Sequence, residues 1–195
     1  MWKYSEELMD HFMNPRNAGE LDNPDGHSEV GSPQCGDAMT LDIDVDDNDI
    51  ITDIRFQTFG CAGAIASASA LTEIAKGRTI ESARSIKNSE VAEFLGGMPP
   101  EKYHCSVMGH EAMTEALRDY EEKRDKAAAI FKMLLSERPG DLASALEGVE
   151  VSLVHAHPSR ILVEIESGDT AAICAQLSGE MTERIGSEVE VRVVS

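Results

Sequence analysis

The stretch Thr58-Phe59-Gly60-Cys61-Ala62-Gly63, running directly into Ala64-Ile65-Ala66-Ser67-Ala68-Ser69-Ala70-Leu71, constrains this chain more than any other. It reads as a strand end, a tight glycine-bracketed turn carrying a thiol, and a helix built almost wholly of small residues. Gly60 and Gly63 are read as points of conformational freedom that also leave the space around the sulfur open. A cysteine at a helix N-terminus sits beside unpaired N–H groups and the positive end of the helix dipole, which favours the thiolate. That is the setting of a reactive sulfur, not of a core filler.

The flanking sequence predicts how this turn is presented. Ser5 to Met13 reads as a helix with a hydroxyl N-cap and early acids, stopped by Asn14-Pro15. After a polar loop from Asn17 to Gly26, Ser28 to Val30 reads as a short edge strand ending at Gly31-Ser32-Pro33. Met39, Leu41, Ile43 and Val45 alternate with Thr40, Asp42 and Asp44, the pattern of a half-buried strand. Asp46 to Asp49 forms a turn, and Ile50 to Phe59 returns antiparallel with Ile54 and Phe56 on one face. Cys35 and Cys61, each just outside a strand, are thereby expected at one edge of the sheet.

The helix after Cys61 is expected to run to about Lys76 and to end at Gly77. Thr79–Ile86 and Ser89–Leu95 read as short helices opened by hydroxyl residues, and Gly96 to Pro100 as an extended loop. Tyr103-His104-Cys105-Ser106 leads into a helix with Met113, Ala116, Leu117 and Tyr120 on one face. Ala127, Ile130, Phe131 and Leu134 repeat that spacing in what reads as a further helix. Arg138-Pro139-Gly140-Asp141 breaks the pattern and divides the chain into domains of residues 1–137 and 138–195. The second has the order αββαβ, too little chain for a large core. The expected class is α+β: a small antiparallel sheet packed by helices, then a small αββαβ domain.

Composition narrows the function. The formal charge of −19 and the lack of any Lys/Arg cluster argue against nucleic-acid binding and suit docking to a basic partner. No apolar run approaches a membrane span and the first residues have no signal-peptide character, so a cytoplasmic setting is expected. Thiols stay reduced there, and four cysteines point to metal or thiol chemistry more than to disulfides.

Cys35, Cys61 and Cys105 all fall at junctions between elements, none in a CxxC pair. Ligands spread in this way are gathered by the fold, unlike the local pairs of a zinc ribbon. Three thiolates plus a carboxylate or imidazole complete a tetrahedral site for zinc or for an iron–sulfur cluster, with Asp37 and His104 as candidates for the remaining position. An oxygen ligand among thiolates binds soft metal less firmly, which suits a site that gives its contents away. Cys174 is read as a packed helix residue, and His155 and His157 as exposed hairpin residues. Asp42, Asp44, Asp46, Asp47 and Asp49 lack EF-hand spacing and are read as a solvated strand face and turn.

The segments Gln34-Cys35-Gly36-Asp37, Phe59 to Ser67 and Met98 to Gly109 resemble the iron–sulfur cluster assembly scaffold family, the IscU proteins and the N-terminal domain of NifU. The opening Met1-Trp2-Lys3-Tyr4-Ser5, with His11-Phe12 and Asn14-Pro15-Arg16-Asn17, is also similar to NifU, and the likeness covers about residues 1 to 121. The resemblance implies a non-enzymatic scaffold on which a transient [2Fe–2S] cluster is built from iron and from sulfur delivered by a cysteine desulfurase, then passed to apo iron–sulfur acceptor proteins. Carried over, Cys35, Cys61 and Cys105 are thiolate ligands and sulfur acceptors, and Asp37 is the labilising ligand. His104 becomes an alternate ligand or a base near Cys105.

Zinc binding in place of the cluster belongs to the same donor set. In many family members a Pro-Pro-x-Lys segment docks an Hsp70-type chaperone; here Met98-Pro99-Pro100-Glu101-Lys102 takes the NifU form. The αββαβ unit resembles a degenerate Nfu domain, with Cys174 where paired cysteines would stand. Two other classes compete: a zinc-stabilised interaction module, and an enzyme using a cysteine nucleophile with His104 as base.

Overall fold

The computed structural model describes residues 4–32, 37–99 and 103–194; the side chains of Ser32 and of residues 103–106 are also outside the description. The chain divides into two compact units, Met1–Tyr120 and Glu121–Ser195.

The first unit opens with α1 (Glu6–Met13), whose N-cap Ser5 accepts from the Leu8 amide at 3.1 Å and donates to the Leu95 carbonyl. Strands β1 (Gly26–Ser32), β2 (Asp37–Val45) and β3 (Ile51–Phe59) form one antiparallel sheet in that order. Its register pairs Ser32 with Asp37 and Ala38 with Phe59. Alternation then sends Met39, Leu41, Ile43, Ile54 and Phe56 into the core, as the period of two requires.

Helix α2 (Ala62–Ala75) follows β3 at once and ends with Lys76 as C-cap and Gly77 at φ 83°, the left-handed stop expected of that glycine. Its serines and every alanine after Ala62 are buried, so neighbours approach closely. Ser69 Oγ accepts from the Arg16 amide at 2.8 Å and is hydrogen-bonded to His11 Nδ1, also at 2.8 Å, which pins α1 to α2. Short helices α3 (Ile80–Arg84) and α4 (Asn88–Phe94) complete the cover.

Helix α5 spans Tyr103–Glu137 without a break, so the two helices expected from the sequence are one. No glycine or proline lies between Gly109 and Pro139 to interrupt it. The division between units falls inside this helix, earlier than the expected boundary at 138. Met113, Ala116, Leu117 and Tyr120 pack in the first core, whereas Ala127, Phe131 and Leu134 pack in the second. Within the first unit, Tyr120 donates to Asp49 Oδ1 at 2.9 Å in the β2–β3 turn, and a Cβ on Gly26 would run into the Ala116 carbonyl.

The second unit runs α6 (Leu142–Ala145), β4 (Val151–His157), β5 (Arg160–Ile165), α7 (Thr170–Ile185) and β6 (Glu190–Val193), the αββαβ order read from the sequence. Its mixed sheet pairs β4 with β5 antiparallel and β5 with β6 parallel, α7 making the crossover. Ile161, Val163 and Val191 of the sheet share its core with Ile173, Leu177 and Met181 of α7.

Two expectations about polar residues need correcting. Asp42 is not part of a solvated face: it is 5% exposed, and its carboxylate accepts from the Leu21 amide and meets His27 Nδ1 at 2.6 Å. The 17–21 loop covers that end of the outer sheet face, and a buried acid is tolerated because both oxygens are engaged. His157 is not an exposed hairpin residue either, at 1% exposure. Its Nδ1 accepts the turn's own Ser159 amide at 3.2 Å, which ties the ring to the backbone and occupies that nitrogen.

Candidate metal and sulfur site

The candidate site lies where β2 begins and β3 ends. Asp37 opens β2, half-buried, one register step beyond the Ala38–Phe59 pair and therefore opposite Gly60. A Cβ built on Gly60 would stand 3.0 Å from the Asp37 Cγ, 3.2 Å from its Oδ2 and 3.0 Å from the Ala64 Cβ. The carboxylate therefore lies against the bare backbone immediately before Cys61. Gly60 is needed for space and not for a left-handed backbone, since it is not among the residues at positive φ.

Cys61 is the N-cap of α2, half-buried, in an extended conformation at φ −77° and ψ 169°. It makes no side-chain capping hydrogen bond, and the amides of Ala64 and Ile65 turn back to its carbonyl. The sulfur thus begins a buried helix at the positive end of its dipole. The structure brings Asp37 and Cys61 to one place.

The other expected members are placed only in part. Cys35 lies in residues 33–36, outside the described residues, between the paired Ser32 and Asp37. Cys105 and His104 lie in the first turn of α5, with their side chains outside the description. Among the described residues no group of three potential metal ligands occurs. In the Met98–Lys102 segment, Met98 is 8% exposed and belongs to the core, while residues 100–102 lie outside the description. Cys174 sits half-buried on α7 against the second core, and burial raises its thiol pKa, the opposite of a reactive sulfur. No described helix is long and apolar enough to cross a membrane.

Phe59 is a feature that the sequence reading passed over. It is 80% exposed beside the Gly60–Cys61 turn. The signal was present, because alternation from Ile54 and Phe56 places residue 59 on the outer face with Gln57.

With this geometry in view, comparison with known proteins is decisive. The model of the NifU-like N terminal domain family matches residues 3–127. The chain belongs to that family. The iron-sulfur cluster assembly scaffold protein IscU 1 of Archaeoglobus fulgidus is 50% identical over 134 residues, covering 69% of this chain and 87% of the relative. IscU of Escherichia coli K12 is 49% identical over 125 residues, covering 63% of this chain and 97% of the relative. A NifU-like protein (N-terminal) from Brucella abortus has the same fold, with a TM-score of 0.51 at 20% identity over 61% of this chain and 94% of that one. The family match ends at residue 127, so most of the second unit lies beyond it.

Proposed function

We propose that this NifU-like chain is a scaffold on which a transient [2Fe–2S] cluster is assembled and then handed on, the chain itself catalysing no turnover. The observation that carries this reading is the Asp37 carboxylate resting on Gly60 next to Cys61 at the start of α2. It supplies one oxygen and one sulfur donor side by side, with Cys35 and Cys105 as the remaining thiolates and His104 as an alternate to Asp37. Its relatives are by name iron–sulfur cluster assembly scaffold proteins.

The chemistry follows from the donors. A deprotonated, accessible cysteine attacks the outer sulfur of a desulfurase persulfide; the new S–S bond forms as the old one breaks, and the desulfurase cysteine leaves as thiolate. The thiolates would hold iron as terminal ligands, a thiol reductant supplying the two electrons that take each persulfide sulfur to sulfide. Asp37, a hard oxygen donor, weakens the hold on soft iron and eases release to an apo acceptor protein. Reduced thiols of this kind fit a cytoplasmic setting. A chaperone of the Hsp70 type would engage the Met98–Lys102 segment through Pro99 and the residues after it, since Met98 is held in the core.

Anaerobic incubation of the full chain with a cysteine desulfurase, cysteine, ferrous iron and dithiothreitol tests the reading. Acid-labile sulfide in step with iron, and visible charge-transfer absorption lost in Cys61→Ser, is the expected result. Zinc bound with no acid-labile sulfide ever formed would overturn it in favour of a structural metal module.

A further inference from the structure

One strand edge in the second unit is finished differently from the rest. Of the six described strands, β4 is the one without Asp, Glu, Lys or Arg. It lies at the rim of its sheet, and among the described residues its one partner strand is β5. The hydrogen bond from the Glu166 amide to the Glu150 carbonyl fixes the phase of that pairing. Val151 and Leu153 are then the non-hydrogen-bonded positions opposite Ile165 and Val163, and their own N–H and C=O groups face away from β5. Sheet edges are ordinarily blocked by charge, by a bulge or by cover. β3 is covered where the Asn17 carbonyl accepts from the Phe56 amide, and β6 where Ser178 Oγ accepts from the Val191 amide at 2.8 Å. On β4 the bulge comes between Leu153 and His155, which leaves the stretch up to Leu153 regular and open.

The two faces beside this edge differ in chemistry. Val151 and Leu153 pack against the second core, whereas Glu150, Ser152, Glu164 and Glu166 are exposed. Alternation along the strands puts those four on the opposite face. One step before the Val151–Ile165 pair, Glu150 stands across from Glu166, with Glu164 two residues along β5 on the same face. Like charges so placed destabilise a strand pair left to itself. Among the described residues none of the three carboxylates has a hydrogen-bond or ion-pair partner. The neighbouring cation, Arg138, donates instead to the Leu146 carbonyl at 3.1 Å. A cavity of about 290 Å³ adjoins the edge, with Leu135, Leu146 and Val149 in its lining beside the three glutamates. An arginine or lysine side chain matches that lining, apolar along its stem and cationic at its head.

We propose that the free edge of β4 takes up an extended segment of a basic partner protein as a fourth strand. The segment's apolar residues turn toward the core face, and its Arg or Lys residues toward Glu150, Glu164 and Glu166. Main-chain bonds to Val151 and Leu153 supply affinity, and the alternation of apolar and basic side chains supplies selectivity. A second copy of this chain fits less well, since it carries a charge of −19 and brings the same glutamates to the pairing. This docking is independent of the scaffold reading, because every residue it uses lies in the second unit.

The test is amide-resolved NMR of the full chain, titrated with the blocked hexapeptide Val-Arg-Val-Lys-Val-Thr, with hydrogen exchange read at each amide. Saturable binding is expected, with the Val151 and Leu153 amides gaining protection while the Ser152 amide, already bonded to β5, stays as it was. The double variant Glu164→Lys, Glu166→Lys is expected to bind the peptide about tenfold more weakly. Its Tm should be equal or higher, because the like charges on this face are relieved. The same peptide with Glu in place of Arg and Lys is expected not to bind. Absence of saturable binding, unchanged affinity in the double variant, or binding that leaves Val151 and Leu153 unprotected would overturn the proposal. Protection of those two amides that rises with protein concentration, without peptide, would assign the edge to a second copy and overturn it too.

Discussion

The two units each lay one long helix on a three-stranded sheet, and the two helices begin in opposite ways. α7 starts at Asp169, whose carboxylate accepts from the Ala172 amide at 3.2 Å, and it ends in Gly186 at φ 84°. α2 starts at Cys61, which makes no side-chain capping bond. A side-chain cap is worth about 1 kcal/mol, so α7 draws from its N-terminus a stability that α2 forgoes at Cys61. The contrast extends to the thiols. Cys61 stands at the helix mouth beside a carboxylate, while Cys174 sits one turn inside α7 with its thiol pKa raised by burial.

Exchanging sulfur for oxygen at each cysteine gives the largest expected difference. Cys61→Ser should weaken zinc or cluster binding by at least about a hundredfold. It should also raise the stability of the metal-free chain by about 0.5–1 kcal/mol, because serine is a good N-cap. Cys174→Ser should leave binding unchanged in the same chelator titration. Equal losses at the two positions would erase the distinction between the units.

A second, smaller effect concerns the room beside Cys61. Gly60→Val places methyl groups where the Asp37 carboxylate and Ala64 now lie. Overpacking of that kind costs about 1–3 kcal/mol, and displacement of Asp37 should lower zinc affinity about tenfold. Denaturant titration and metal titration on one sample separate the two consequences. Full affinity in a destabilised Gly60→Val chain would remove Asp37 from the ligand set.

Much of this was legible in the sequence, for identifiable reasons. Period-two alternation in Met39 to Val45 and Ile50 to Phe59 gave the strands, and Gly77 gave the end of α2, because both signals act within a few residues. Of the candidate site, the sequence marks Asp37 and Cys61 by their glycine neighbours, and the Asp37 carboxylate lies against the backbone just before Cys61; Cys35 and the side chains of His104 and Cys105 lie outside the described residues. What escaped depends on tertiary surroundings. Asp42 looks solvated until the 17–21 loop is laid over it, and His157 looks exposed until Ser159 folds back on its ring. The continuity of α5 was missed because each half has its own apolar stripe, serving a different core. For Gly60 the sequence suggests both conformational freedom and open space beside the sulfur; the backbone needs only the second, and the position of Asp37 shows what fills that space.

The α1–α2 anchor gives a third contrast, readable by pH. Burial, then the Arg16 charge, hold the His11 pKa below its ordinary value of 6.5. At pH above 6.5 both folded and unfolded chains keep this ring neutral and the full stability is present. As pH falls through 6.5 the unfolded chain takes up a proton that the folded chain refuses, so stability declines. Hydrogen exchange of α1 and α2 amides should therefore quicken relative to α7 between neutral and mildly acid pH. His11→Gln should flatten that difference. Equal acid sensitivity in α7 would assign the effect to the whole chain instead of to this anchor.

The smallest expected effect is a gain. Gly179 lies in the interior of α7, and a Cβ built there meets no atom within 4 Å. Nothing about its surroundings demands a glycine, so its cost is the ordinary one of backbone freedom lost on folding, about 0.5–1 kcal/mol relative to alanine. Gly179→Ala should recover that amount, seen as slower exchange of α7 amides and a higher denaturation midpoint for the second unit, with zinc affinity unchanged. The same chemical change at Gly60 should have the opposite sign, because there the added carbon meets Asp37 and Ala64 at 3.0 Å. Two glycine-to-alanine substitutions of opposite sign would show that α7 carries a glycine its packing does not require and that the mouth of α2 is shaped around one. Matching signs would mean that the space beside Cys61 is slack, and that Asp37 is not held against it.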